Sequence, residues 1–192
     1  MTLVFATHNQ NKYREVKALM PAHIDLVSLT DIGCHDDIPE TEPTIEGNAQ
    51  LKADYVRKHY KLDCFADDTG LEVHALNGAP GVYSARYAGP GNNAQANMNK
   101  LLGHLEGKAD RSAQFKTVIA LSMADKTELF TGICEGEILK EQRGTEGFGY
   151  DPIFLPTGYS QSFAQMNQDE KGRISHRGKA IQLLLAYLGR MK

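Results

Sequence analysis

Three carboxylates stand out as residues that could do chemistry. Asp67 and Asp68 directly follow the apolar run Cys64-Phe65-Ala66, and Glu40 lies in an acidic segment nearer the N-terminus. Converging carboxylates repel one another unless a cation neutralises them, and an all-oxygen ligand set suits Mg²⁺ or Mn²⁺. The pair is predicted to lie at the junction of two strands. Because consecutive residues of a regular strand point to opposite faces, a site that uses both aspartates requires the strand to end or bulge there. The alternative is a plain turn, which is the commoner outcome for Asp-Asp-Thr-Gly.

Three further groups of polar residues could bind a nucleotide. The segment Thr7-His8-Asn9-Gln10-Asn11-Lys12 comes where a strand ends and a helix begins, and helix starts attract anions. The segment from Gly147 to Pro152 combines aromatic rings, a carboxylate and two glycines, which could stack on a purine and bind its edge. Lys171 and Ser175-His176-Arg177 add cationic donors at the start of the last helix. The ordinary alternatives are a capping loop, a tight turn and a solvated basic loop.

Hydrophobic periodicity predicts the elements that position these groups. Strands are expected near residues 3–6, 26–29, 64–66, 71–76, 115–123 and 129–139, and helices near 12–20, 45–60, 94–105 and from about 177 onwards. Two prolines keep the acidic segment 31–44 out of regular structure, and Thr44 is a good N-cap for the helix that follows. The carboxylates of this segment therefore lie on a loop.

Composition excludes several classes of protein. With 192 residues, 41% hydrophobic and 23% charged, the chain has the profile of one globular domain, or one domain with two lobes. Its net charge of −3 is spread over interspersed residues, which disfavours binding to a nucleic-acid polymer. We expect a soluble cytoplasmic protein, because no apolar stretch could span a bilayer and no signal-peptide pattern is present. Cys34, Cys64 and Cys134 are widely separated, which favours core positions over a disulfide framework or a zinc site.

Several stretches, taken in order, carry a family resemblance that spans essentially the whole chain. They are Phe5 to Lys12, Glu40-Thr41, Gly47-Asn48-Ala49 with Lys52-Ala53, Ala66 to Leu71, Gly78 to Tyr87, Gly147 to Phe154, and Ser175 to Gly178. Together they resemble the inosine triphosphate pyrophosphatase family, the house-cleaning purine nucleotidases. Two departures are small: His8 stands where family members often have glycine, and Glu46-Gly47-Asn48 replaces a more usual acidic or apolar pair before the asparagine.

The resemblance implies a fold and a reaction. The fold would be mixed α/β, an elongated twisted sheet flanked by helices, with two lobes and a deep central cleft, and residues 1–192 would form a single nucleoside triphosphate pyrophosphatase domain. The protein would usually be a homodimer. Its reaction would cut ITP, dITP or XTP between the α and β phosphates, giving a monophosphate and pyrophosphate.

The resemblance also implies residue roles. The segment Thr7 to Lys12 would hold the phosphates, Glu40 and Asp68 would bind Mg²⁺, with Mn²⁺ as a substitute, and Asp67 would be a further candidate ligand. Asp68 would act as general base, and Thr69 would assist the substrate. The nucleotide and base pocket would be built by Phe148, Gly149, Tyr150, Asp151, Lys171, His176 and Arg177. Donors from His176 or Arg177 would favour the C6 oxygen of a deaminated purine over the amino group of adenine.

The sequence also bears on several other functions. The motif G-x-G-x-x-A at residues 89–94 lacks a preceding buried strand and an acidic partner, which argues against a dinucleotide site, and the P-loop motif is absent. A phosphatase with a nucleophilic aspartate has a different aspartate spacing. The septum-inhibitor type of nucleotide pyrophosphatase would need a Ser-x-Ser-Pro-Arg-Arg loop, which the sequence lacks. A nucleotide-binding regulator that uses the same residues remains the non-enzymatic alternative.

Overall fold

The computed structural model describes residues 1–124 and 126–190. The strands are β1 (Thr2–Phe5), β2 (Asp25–Ser28), β3 (Cys64–Val73), β4 (Pro80–Gly81), β5 (Ser112–Met123), β6 (Lys126–Ile138) and β7 (Phe154–Pro156). The helices are α1 (Gln10–Leu19), α2 (Ile45–Tyr60), α3 (Ala94–His104), α4 (Gln168–Ile174) and α5 (His176–Arg190). The strands form one sheet in the order β2-β1-β3-β5-β6-β7, and β4 pairs with β3.

The chain divides into two compact units. Unit 1 comprises Met1–Asp68, Thr117–Gly132 and Arg177–Lys192, and unit 2 comprises Thr69–Lys116 and Ile133–His176. The chain therefore passes from one unit to the other directly after Asp68 and directly after His176, two of the residues singled out for chemistry.

In unit 1, β1 pairs in parallel with two neighbouring strands. It lies beside β2 in the register Thr2↔Asp25 to Phe5↔Ser28 and beside the start of β3 in the register Val4↔Cys64 and Phe5↔Phe65. The rings of Phe5 and Phe65 stack with centroids 4.6 Å apart. The apolar core around them is Leu3, Phe5, Val16, Ile24, Leu26, Phe65, Ile119, Leu121, Ala180, Ile181, Leu184 and Leu188. Helices α1 and α5 contribute to this core through Val16 and through the apolar face of α5.

In unit 2, the end of β3 pairs antiparallel with β4, and β7 pairs antiparallel with β6. The core comprises Leu71, Val73, Met98, Leu101, Leu105, Ala113, Phe115, Cys134, Ile138, Tyr150, Ile153, Phe154, Phe163 and Met166. At the edge of this core, the guanidinium of Arg111 donates hydrogen bonds to the carbonyls of Leu105, Ile138 and Leu139 and so connects these segments.

The predicted junction of two strands at Asp67 and Asp68 is wrong. Strand β3 runs without interruption from Cys64 to Val73, and the alternating pattern predicted as strand beyond it instead forms a short 3-10 helix over His74–Leu76. The acidic pair is tolerated inside a strand because each carboxylate meets a cation, as described below. Since successive side chains of a strand point to opposite faces, the two aspartates serve different partners.

The position predicted for Lys171 is also wrong. It lies on α4, a separate seven-residue helix, and not at the start of the last helix, which begins at His176. Asn167 and Glu170 form a capping box at the start of α4, which stabilises this short helix at its N-terminus. The long helices agree with the sequence: Thr44 caps α2 by accepting a hydrogen bond from the backbone N–H of Gly47, as predicted.

The three cysteines are free thiols in buried positions, in agreement with the sequence. Cys64 donates its thiol to the carbonyl of Ala53 at 3.3 Å, and burial raises its pKa to about 12. Among the residues the structure describes, no helix combines the length and the apolar character that crossing a membrane requires.

Candidate active site

The first group of site residues is assembled in unit 1 by the pairing of β1 with β3. Because parallel strands end at the same edge, the residues that follow Phe5 emerge beside those that follow Phe65, and the N–H of Ala6 donates to the Phe65 carbonyl at 2.8 Å. The segment Thr7 to Lys12 and the aspartates of β3 are therefore neighbours, although more than fifty residues separate them in the sequence.

The segment Thr7 to Lys12, termed here the phosphate loop, is stabilised from within. Asn9 is the N-cap of α1, and its side-chain oxygen accepts hydrogen bonds from the backbone N–H groups of Asn11 and Lys12. The hydroxyl of Thr7 accepts from the N–H of Asn9. The loop therefore does cap a helix, which was one of the two roles that the sequence allowed for it. His8, Asn9 and Gln10 are exposed, and their side chains are available to solvent.

Asp67 is fully engaged by cations. The ammonium of Lys12 donates to its Oδ1 at 3.0 Å, and Nε of Arg177 donates to its Oδ2 at 2.9 Å. Burial alone would raise the pKa of Asp67, but Lys12 and Arg177 hold it well below the usual range of an aspartate. Asp67 is therefore an ionised carboxylate with both oxygens occupied.

Arg177 is a buried cation between two carboxylates. Only 1% of the residue is exposed, and its Nη1 also donates to Glu15 on α1. A buried guanidinium is tolerated when its charge and its donors are matched in this way. Arg177, which the family resemblance suggests as a donor to the purine, contacts Asp67 and Glu15 within unit 1.

Asp68 faces a different partner. Lys52 on α2 places its ammonium 2.6 Å from Oε1 of Glu40 and 3.4 Å from Oδ1 of Asp68, so that one buried cation joins the two carboxylates. Burial raises the pKa of Asp68, Lys52 and Lys12 oppose this, and Glu40 and Asp67 reinforce it; the pKa is raised overall. The second oxygen of Asp68, Oδ2, is buried and has no hydrogen-bond partner among the described residues.

The carboxylates of Asp68 and Glu40 form a donor set that fits a magnesium ion. The part of the chain that the structure describes contains no group of three or more His, Cys, Asp or Glu side chains that could hold a metal. Mg²⁺, however, is commonly held by one or two carboxylates together with phosphate oxygens and water. Asp68, with an oxygen that lacks a partner, and Glu40 match that pattern, whereas Asp67, with both oxygens bound to cations, does not.

The second group of site residues lies in unit 2. Oδ2 of Asp151 accepts from the ammonium of Lys171 at 2.6 Å and from the backbone N–H of Phe148 at 2.8 Å. The same ammonium lies 5.1 Å from the ring centre of Phe148 and 5.4 Å from that of Phe163. Asp151 thus holds both the cation and the aromatic residue in place, with Lys171 stabilised between two rings.

Two other predicted pocket residues in unit 2 belong to its core. The ring of His176 stacks on Phe115 with centroids 4.5 Å apart, and the residue is 3% exposed. Tyr150 is buried, and its hydroxyl donates to the carbonyl of Ser84 at 2.8 Å. Thr69 and Gly149 are partly exposed, the first on β3 and the second between Phe148 and Tyr150.

Comparisons with known proteins identify the family. The model of the Ham1 family matches residues 3–187. The chain belongs to the Ham1 family. It is 64% identical to a dITP/XTP pyrophosphatase of Christiangramia forsetii, over 99% of this chain and 100% of that protein, and 58% identical to a dITP/XTP pyrophosphatase of Flavobacterium psychrophilum, over 97% and 98%. These relatives confirm the resemblance found in the sequence.

Solved structures of Ham1 proteins confirm the expected mixed α/β fold. The Staphylococcus aureus Ham1 protein has a TM-score of 0.91 and 42% identity, with full coverage of both chains. A HAM1 protein from Coxiella burnetii also has a TM-score of 0.91, with 39% identity and coverage of 99% of each chain. The sheet flanked by helices is thus the Ham1 architecture.

Two residues of this Ham1 chain were not assigned to the site from the sequence. Lys52 occupies a buried position on the face of α2 that also carries Ala49, Ala53 and Val56, and a lysine on an apolar helix face is a signal that sequence reasoning could have used. Glu15 gave no such signal, since it lies on a helix with many polar residues, and its role depends on Arg177.

Proposed function

We propose that this protein hydrolyses the deaminated purine nucleotides ITP, dITP and XTP to the monophosphate and pyrophosphate, and so prevents their incorporation into nucleic acid. The observation that carries the proposal is the buried Oδ2 of Asp68, which has no hydrogen-bond partner among the described residues while Oδ1 lies beside Lys52. A carboxylate oxygen kept in this state is suited to accept a proton or to bind a cation. The names of the relatives agree with this activity, since they are dITP/XTP pyrophosphatases.

The reaction assigns Asp68 the role of general base. Water attacks the α phosphorus, the proton of the water passes to the Asp68 carboxylate, and the bond between the α phosphorus and the bridging oxygen breaks, so that pyrophosphate leaves. Base catalysis of this kind contributes about 10²- to 10⁴-fold. Lys52 and Glu40 hold the carboxylate through the shared ammonium.

Glu40 and Asp68 are the proposed ligands of Mg²⁺, which, when bound, would offset the negative charge on the phosphate oxygens. Asp67 is assigned a positioning role, because its oxygens are bound by Lys12 and Arg177. The exposed side chains of Asn9 and Gln10 in the phosphate loop are proposed to contact the phosphates, together with the stretch of α1 that Asn9 caps.

Recognition of the purine is proposed for the aromatic and cationic cluster of unit 2. Phe148 is partly exposed and offers a ring on which a base can stack. The Lys171 ammonium beside it can donate a hydrogen bond to a C6 oxygen, whereas the amino group of adenine cannot accept one. Asp151 keeps both groups in place.

A homodimer and a cytoplasmic location are further proposals that rest on the family resemblance. Sedimentation of the purified protein would test the first: a mass of twice 21.2 kDa is expected. Fractionation of the source cells would test the second, with the protein expected beside the nucleotide pool in the cytoplasm.

Pyrophosphate release from a panel of triphosphates tests the function. We expect rapid release from ITP, dITP and XTP, slow release from ATP and GTP, and loss of activity when EDTA replaces Mg²⁺. Tight binding of ITP without hydrolysis would instead indicate a nucleotide-binding regulator. Release of single phosphates, with a trapped aspartyl phosphate, would indicate a phosphatase of the other mechanism.

A further inference from the structure

The acidic segment 31–44 carries Glu40 without any helix or strand of its own. Its position must therefore come from contacts with its neighbours. Helix α2 supplies several of them: Asn48 accepts from the N–H of Glu42 and donates to its carbonyl, and Lys52 donates to the carboxylate of Glu40. These contacts fix the end of the segment that is nearest to α2.

The middle of the segment is held at Asp36 from two sides. Nε2 of His8 lies 3.0 Å from the backbone carbonyl oxygen of Asp36, and the hydroxyl of Tyr55 donates to its carboxylate at 2.6 Å. A carbonyl oxygen accepts hydrogen bonds and cannot donate them, so Nε2 of His8 must carry the proton in this contact. Both bonds lie within unit 1.

The two contacts have different origins. Tyr55 comes from α2, which already anchors Glu40 and Glu42, and the bond to Asp36 raises its pKa to about 12, so the hydroxyl keeps its proton at physiological pH. His8 comes from the phosphate loop, three residues after the end of β1 at Phe5. The His8 bond therefore connects the loop proposed to hold phosphates with the segment that carries a proposed magnesium ligand.

We propose that His8 is a positioning residue that holds the acidic segment, and with it Glu40, in a fixed position relative to the phosphate loop. The inference rests on the proposed function, because it assigns Glu40 to metal binding. It assigns to the His8 side chain a role other than direct contact with phosphate. Tyr55 and His8 together leave Asp36 little freedom, and Glu40 follows only four positions later.

Three variants separate this role from its alternatives. His8→Ala removes the donor, and His8→Gln retains an amide N–H at about the reach of Nε2. His35→Ala is the matched control, since His35 is also exposed, lies next to Asp36 and makes no hydrogen bond to another described residue. Both sites are on the surface, so folded protein is expected for all three variants, and melting temperatures will verify it.

The first readout is amide hydrogen exchange, measured without nucleotide or metal. His8→Ala should exchange faster than wild type in peptides that cover residues 31–44, whereas His8→Gln and His35→Ala should match wild type. Unchanged exchange in His8→Ala would overturn the proposal. This readout does not depend on activity, so it tests the His8 contact even if the protein releases no pyrophosphate from ITP.

The second readout is the magnesium dependence of ITP hydrolysis. Loss of one exposed hydrogen bond should raise the Mg²⁺ concentration for half-maximal activity about two- to tenfold in His8→Ala, with recovery in His8→Gln. KM for ITP at saturating Mg²⁺ should change little. A raised KM with an unchanged magnesium requirement would overturn the proposal in favour of direct phosphate contact, and inactive wild-type protein would overturn the proposed function instead.

Discussion

Arg177 places its Nε 2.9 Å from Oδ2 of Asp67, although 110 positions separate the two residues. The bond joins α5 to β3 within unit 1, and Lys12 completes the arrangement from the other oxygen of Asp67. The buried carboxylate of Asp67 thus binds two cations, the ammonium of Lys12 in the phosphate loop and the guanidinium of Arg177 in the last helix.

This arrangement makes a prediction about base selectivity. Arg177→Lys should lower kcat/KM for ITP and for ATP by similar factors, because the single ammonium of lysine replaces the separate Nε and Nη1 donors that reach Asp67 and Glu15, and the change acts through Lys12 on any triphosphate. Arg173→Lys, at an exposed position of α4, is the control and should leave both values unchanged. A drop in the ITP-to-ATP ratio of about tenfold would instead assign Arg177 to base recognition, as the sequence suggested.

Asp68→Asn should abolish most of the activity while the fold is kept. The amide has nearly the same shape as the carboxylate but cannot accept the proton of the attacking water, so kcat should fall by about two or more orders of magnitude. Asp54→Asn, at an exposed site on α2, should retain wild-type turnover. Near-normal turnover in a folded Asp68→Asn protein would remove Asp68 from the mechanism.

Much of the fold could be predicted from the sequence, because its long helices and strands show a clear hydrophobic periodicity. The apolar stripe of α2 and its cap at Thr44 are examples. The continuation of β3 through Asp67 and Asp68 could not be predicted, since it depends on Lys12, Lys52 and Arg177, which reach the pair from distant parts of the chain. Short elements such as α4 and β7 are stabilised by caps and pairing, and these leave little periodic signal.

The sequence indicated candidate site residues but not the contacts between them. Family resemblance pointed to Asp68, Glu40 and the phosphate loop, and chemistry indicated what carboxylates can bind. Asp67 and Asp68 contact different cations because a continuous β3 places their side chains on opposite faces of the strand. No sequence pattern could assign Arg177 to Asp67 and Glu15.

Lys52 is expected to be as important for turnover as the carboxylates of Glu40 and Asp68 that it joins. Burial opposes its charge, but Asp68 and Glu40 raise its pKa, so the ammonium stays protonated. Lys52→Met should lower kcat for ITP by about 10²-fold, because the repelling carboxylates move apart and the general base is misplaced. Lys58→Met, at an exposed position of the same helix, should be neutral. Equal turnover in the two variants would show that Lys52 has no part in positioning Asp68.

The loop that holds Phe148 offers a matched pair of glycines. Gly147 and Gly149 both have positive φ, +74° and +64°, so an alanine at either position meets comparable backbone strain of about 1–2 kcal/mol. Their surroundings differ: a Cβ on Gly147 would lie 2.0 Å from Oδ2 of Asp151, whereas a Cβ on Gly149 would meet no atom within 4 Å.

Gly147→Ala should therefore be the more destabilising of the two in urea unfolding, and the excess over Gly149→Ala measures the displacement of Asp151 together with its consequences. The displaced Asp151 oxygen is the one that accepts from Phe148 and Lys171, so KM for ITP should rise in Gly147→Ala. The buried Lys171 ammonium would lose its counter-ion, which adds to the cost because an uncompensated buried charge is strongly unfavourable. If both alanine variants unfold at the same urea concentration and bind ITP equally well, Asp151 does not hold this loop in the way the contacts indicate.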